Sequence, residues 1–137
     1  MTIANTNSII LAYLLTCSTI TDIVTAEIYC PRLHESHSLP AISFFARGGV
    51  STPYIPGLVT PSIQFDCWAS TPIGARTLYQ ALYDNLQGIQ NQSVAVGSDT
   101  YYIRSVIEEV QGQDMVDTEI PNYFRVLAFF SVMIQAE

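Results

Sequence analysis

The chain has 137 residues, 49% of them hydrophobic and only 12% charged, with five basic residues against twelve acidic ones and a formal net charge of −7. That length fits one domain, burying roughly 68% of the surface its unfolded chain exposes. A charged share about half the usual ~25% excludes a disordered acidic tail, and the negative balance argues against gripping nucleic acid by counterion release.

In chain order, Ser8–Cys17 is apolar and predicts a buried helix capped by Asn5 or Asn7, with Ile10, Tyr13 and Leu14 facing inward. The run is far shorter than the ~20 residues a bilayer span needs. Leu14-Leu15-Thr16-Cys17 is a poor lipoprotein box, with nothing basic ahead of it. Thr16–Thr21 reads as a loop or a short turn of helix. Asp22–Val24 leads into a short strand at Ala26–Cys30, which Pro31 stops. His34-Glu35-Ser36-His37 lies in a polar loop ending at Pro40, and Ala41–Arg47 is a second strand.

Gly48–Pro61 carries three prolines and three glycines. This composition predicts a long, shaped connection between antiparallel strands, without helix or strand of its own. Its apolar content is high for a solvated loop. Arg47, Val50, Tyr54, Ile55 and Leu58 are therefore candidate subunit or partner contacts; the alternative is that the segment folds over its own sheet.

From Ser62 the pattern alternates. Ile63, Phe65 and Cys67 share one face, and Ser62, Gln64 and Asp66 the other, with the Trp68 ring on the otherwise polar side. Thr71 and Pro72 then start a helix, as N-cap and first helical residue. Ala75, Leu78, Leu82 and Leu86 form its apolar stripe, and Gly88 is placed to end it. A helix over Pro72–Gln87 is about 24 Å long.

Ser93–Val96 and Thr100–Val110 flank a hairpin turn at Gly97-Ser98-Asp99. In the longer strand, Tyr102, Arg104, Val106 and Glu108 fall on one face, Tyr101, Ile103, Ser105 and Ile107 on the other. Gln111–Asn122 reads as an acidic loop carrying Asp114, Asp117 and Glu119. Tyr123–Gln135 is apolar on both faces, which predicts a strand inside the sheet. The expected fold is a single α+β domain over residues 1–137: a mostly antiparallel sheet of about five or six strands with two helices packed on one face.

The residues offer little catalytic chemistry. His34 and His37 sit in a loop bracketed by prolines, with no cysteine or carboxylate cluster at zinc spacing. No Gly-x-Ser-x-Gly elbow is present, and a chain without lysine has no Walker-type phosphate loop. Glu108 and Glu109 point to opposite faces of a strand, so they do not pair as catalytic carboxylates. Cys17, Cys30 and Cys67 are odd in number and scattered, which fits free thiols. The expectation is no catalytic, cofactor or metal residue.

The strand–helix unit containing Phe65-Asp66-Cys67-Trp68-Ala69 resembles the tail completion (tail terminator) family of long-tailed bacteriophages. Ile28-Tyr29-Cys30-Pro31-Arg32-Leu33, followed by Leu39-Pro40-Ala41-Ile42-Ser43-Phe44, matches that family's strand ending in Tyr-x-Pro, loop, and second strand opening with Pro. The shared order of elements runs from about Ile9 to Ile134. One departure is Glu27, where the family commonly has arginine before the Ile-Tyr pair. The resemblance implies a structural virion protein made in the host bacterial cytoplasm. It would form a homo-oligomeric ring, hexameric in related tails, at the head-proximal end of the tail. Such a ring stops the tail tube, joins it to a head connector or stopper protein, and lets DNA pass without specific binding. In that setting Asp114, Asp117 and Glu119 are candidates for the lumen lining. No membrane role is expected. The competing reading is a small cytosolic enzyme or ligand-binding domain with a site assembled from scattered residues.

Overall fold

The N-terminal apolar run folds because its hydrophobic side chains have a sheet to cover. In the computed structural model, which describes residues 5–51, 54, 58–116 and 123–136, it forms two helices, α1 (Thr6–Thr16) and α2 (Ser18–Val24). Asn5 caps α1, its side chain accepting the Ser8 N–H at 3.2 Å. Ile9, Ile10, Tyr13 and Leu14 are buried. The two helices meet at 87°, and among the described residues no single helix is long and apolar enough to cross a membrane.

The other elements are β1 (Ile28–Tyr29), β2 (Ala41–Ser51), β3 (Leu58–Ala69), α3 (Pro72–Leu86), β4 (Gln90–Val96), β5 (Asp99–Val116) and β6 (Phe124–Ala136). The strands form one curled sheet in the order β1-β2-β3-β6-β5-β4. Every pair is antiparallel except β1 on β2. The α+β class and the interior position of the last strand agree with the sequence. Among the described residues the helices number three, because Ser18–Val24 completes a helix of its own where a loop or short turn of helix was expected.

One face of the sheet carries the helices and the core. Phe44, Phe65 and Phe130, on three adjacent strands, are fully buried and stack in series at centroid separations of 5.9 and 5.5 Å. Contacts of this kind contribute about 0.5–1.5 kcal/mol each beyond area burial. The α3 stripe of Ala75, Leu78, Leu82 and Leu86 seals this layer. Thr71 caps the helix by accepting the Gly74 N–H at 3.0 Å, and Pro72 stands in its first turn.

Three expectations need correction. Gly48–Ser51 and Leu58–Pro61 are strand, not irregular connection: Gly49 pairs with Pro61, Val50 with Thr60 and Ser51 with Val59. A register shift between Ala46 and Gly49 absorbs the glycines, and Gly48 takes φ +102°, a conformation open to glycine. The ladder from β3 to β6 skips Thr60 and Pro61, where proline has no N–H to donate.

The second correction concerns β5. It runs on through Gln111–Val116, so Asp114 lies on a strand and only 117–122 of the expected acidic loop falls outside the described residues. Third, register shifts within β5 break its alternation. Ile103 and Val106 both reach the core, and Ile107 turns out at 61% exposure. The bulge near Gly112 is pinned to α3. Arg76 donates to the Gly112 carbonyl at 3.2 Å, and the Gly112 N–H donates to the Tyr79 hydroxyl at 3.0 Å. Tyr79 in turn donates to Glu108. Burial and that carboxylate push the Tyr79 hydroxyl up to about 12.

Candidate functional site on the helix-free face

The second face of the sheet bears no helix among the described residues. Side chains on alternate positions of β2, β3, β6 and β5 point to it. In its middle the Arg47 guanidinium lies 4.0 Å over the Phe129 ring and donates to Ser62 at 2.9 Å. Ser62 donates to Glu109 at 2.6 Å, and Arg47 and Glu109 approach to 4.0 Å. This polar strap lies over Phe129, which with Leu127 and Met133 forms a half-buried apolar strip on this side of β6. That explains how β6 is apolar on both sides. Glu108 and Glu109 do face opposite ways, one to α3 and one to the strap.

Toward the other end of β2 and β3 the face deepens into a hollow of about 390 Å³. Asp66 and Ser43 are paired across the two strands at its base, and Trp68, Arg125, Tyr123 and His37 form its walls. Residues of the 31–37 loop fold over it, which is why a carboxylate on the solvent side of the sheet is only 5% exposed. The Trp68 indole N–H donates to Ser43 at 2.9 Å, and Arg125 lies 5.2 Å over the indole. Tyr123 meets Trp68 edge-on at 6.3 Å and lies 2.8 Å from His37 Nε2. Nearly every polar group here has a partner within the chain.

Asp66 is the exception. Gln64 donates to Oδ2 at 3.4 Å, and Arg125 stands 3.5 Å from Oδ1 in an ion pair. Oδ1 itself is buried and receives no hydrogen bond. Burial pushes the carboxyl above its usual range, with Arg125 and Gln64 offsetting part of that rise. The hollow is thus a polar socket with aromatic walls and an unused acceptor at its floor.

No protein-family model and no curated protein matches the sequence. The fold, however, is found among solved structures. A chain in the virion of a native gene transfer agent (GTA) particle matches with a TM-score of 0.63, over 90% of each chain. At 9% identity the likeness is one of fold.

The residues singled out from sequence scatter over this frame. Arg47 is tied into the strap. Val50 lies on β2 and Leu58 opens β3, half-buried against the Gln135 register position. Tyr54 stands at the end of the β2–β3 hairpin with 90% of its surface exposed. Ile55, Asp117 and Glu119 lie outside the described residues. Asp114 is exposed beside α3, 3.4 Å from Arg76. The Asp66 hollow was not singled out. Its one sequence signal was Trp68 on a polar face beside Asp66; the β3–β6 register that sets Arg125 opposite Trp68 could not be read from the pattern.

Among the described residues no three His, Cys, Asp or Glu side chains converge as metal ligands. All three cysteines are unbonded, Cys17 and Cys67 buried and Cys30 exposed. Glu27 accepts from the Tyr29 hydroxyl.

Proposed function

We propose that the chain is a structural subunit of a phage-like virion, acting as the ring that closes the head-proximal end of the tail. The observation that carries this is the fold likeness to a chain of the GTA virion, over 90% of both chains. The likeness supports a virion role; the tail-end position rests on the resemblance of the sequence to tail terminators. A ring subunit works by binding geometry: one surface meets the last ring of the tail tube, another meets the head connector or stopper, and lateral contacts close the circle. The low charge content and the half-covered apolar strip supply surface for such contacts. In this reading Arg47, Val50, Tyr54, Ile55 and Leu58 belong to the lateral contact, and Asp114, Asp117 and Glu119 to the lining of the lumen.

Negative-stain images of the purified protein test the reading. Closed rings of uniform diameter, hexameric by native mass spectrometry, are the expected result. A chain that stays monomeric at every concentration and attaches to no tail overturns it.

A further inference from the structure

We propose that the hollow beside Trp68 receives the β4–β5 turn of a second copy of this chain, with that copy's Asp99 carboxylate held by Arg32. This rests on the ring reading above and specifies part of its lateral contact.

Charge singles out the receiving group. Arg47, Arg76, Arg104 and Arg125 each have an acceptor within the chain. Arg32 is exposed and has no partner among the described residues. It lines the hollow of about 390 Å³ together with Arg125 and Asp66. Two arginines against one carboxylate make this hollow locally positive in a chain whose net charge is −7. Asp66 is already paired with Arg125, so Arg32 is the cation left to attract an incoming anion.

The same reasoning selects the anion. Asp22, Glu35, Asp84 and Asp99 are the exposed carboxylates without a partner among the described residues. Asp22 and Asp84 lie on α2 and α3, and a helix about 10–12 Å across does not enter a hollow of this size. Glu35 belongs to the loop over the hollow and makes no contact with Arg32. Asp99 follows the two-residue turn Gly97-Ser98, where Val96 pairs with Asp99 and Gly97 takes φ +63°. Such a turn is a narrow projection, and all three of its residues from Gly97 to Asp99 are exposed.

Placement makes the contact intermolecular. β4 closes one edge of the sheet, and β1, which leads into the 31–37 loop, closes the other. Turn and hollow also lie at opposite ends of β6. Arg125 at its start lines the hollow, and Ala136 at its end pairs with Tyr101 beside the turn. The separation is roughly 35 Å along the strand, and the ladders hold it fixed. The turn therefore reaches this hollow only on another molecule. Unlike surfaces on opposite edges give a head-to-tail contact, the kind that closes into a ring when the rotation permits.

Neither side chain supports the fold, so the test is a charge swap in the full chain. Self-association of the wild type, Arg32→Glu, Asp99→Arg and the double variant is followed by sedimentation velocity. Emission of Trp68, the single tryptophan of the chain, reports on the hollow that it lines. Each single reversal sets like charges together and is expected to weaken association at least about tenfold. The double variant should recover to within about threefold of the wild type. Trp68 emission should shift on association in the wild type and the double variant, and in neither single variant at the same concentration. Asp84→Arg, an equal change of charge on α3, is the control and should leave association unchanged. Single variants that assemble like the wild type overturn the contact and leave the ring reading standing. Losses that the double variant does not rescue overturn the pairing, and so does an equal loss in Asp84→Arg, which makes the effect one of net charge. Rings that form normally but fail to join tails or heads assign the turn to another virion protein, which also overturns it. A wild-type chain that never associates removes both proposals together.

Discussion

Asp66 is a carboxylate held where its charge is unfavourable. Its folded-state pKa is raised by burial, so the proton is held more tightly in the folded chain than in the unfolded one. Such a group's contribution to stability is fully present below the unfolded value, near 4, and is lost as pH rises through the raised folded value. At pH 7 the fold therefore carries a cost at this site. Asp66→Asn is expected to raise the melting temperature of the dilute monomer at pH 7, the gain shrinking toward zero below about pH 4. Calorimetry across pH checks this; a lower melting temperature at pH 7 would show that the Arg125 pair outweighs desolvation. The sequence revealed half of this. Alternation placed Asp66 and Trp68 on the non-core side, but their depth depends on the 31–37 loop folding over the sheet, which no local pattern encodes.

Among the elements, the β2–β3 hairpin shows how composition misleads. Glycine and proline ordinarily punctuate strands, so Gly48–Pro61 read as irregular. Here the glycines sit in a bulge that keeps β2 paired, and Pro61 sits where one ladder already skips. Gly49 has no room for a side chain: an added Cβ would stand 2.3 Å from the Thr60 carbonyl oxygen. Gly49→Ala should destabilise the chain by about 1–3 kcal/mol, read as a lower denaturant midpoint, because the clash is with backbone and not with a movable side chain. An unchanged midpoint would mean the strands do not pair this closely. The helices were more legible. In α1 and α3 the cap, the apolar positions and the terminating residues all lie within a few positions of one another, so local sequence suffices. In β5 it does not, since each bulge shifts the phase of the pattern and only the partner strand and α3 fix where the shifts fall.

For the whole molecule the electrostatics are one-sided. Of the five arginines, Arg47 is committed to Ser62 and Glu109, Arg76 to Asp114, Arg104 to Gln135 and Asn91, and Arg125 to Asp66, while Arg32 stands exposed at the surface. Against a net charge of −7, one exposed arginine is too little basic surface among the described residues to hold a phosphate backbone. The isolated protein is expected to show no retardation of duplex DNA at any salt concentration. An affinity that falls steeply as salt rises would count against DNA sliding freely through the proposed ring.

The position of β6 has a bearing on how the chain is made. It is the last element in chain order, yet it stands between β3 and β5 and joins the two parts of the sheet. While a ribosome is still translating upstream of Phe124, β1-β2-β3 and the β4–β5 hairpin have no shared strand, and the apolar faces of both wait for a partner. Loop closure over this distance delays the sheet until synthesis has passed β6. Before β6 is made, Trp68 and Asp66 also lack Arg125 beside them. Until then the unpaired edges of β3 and β5 are where an unfinished sheet is open to aggregation.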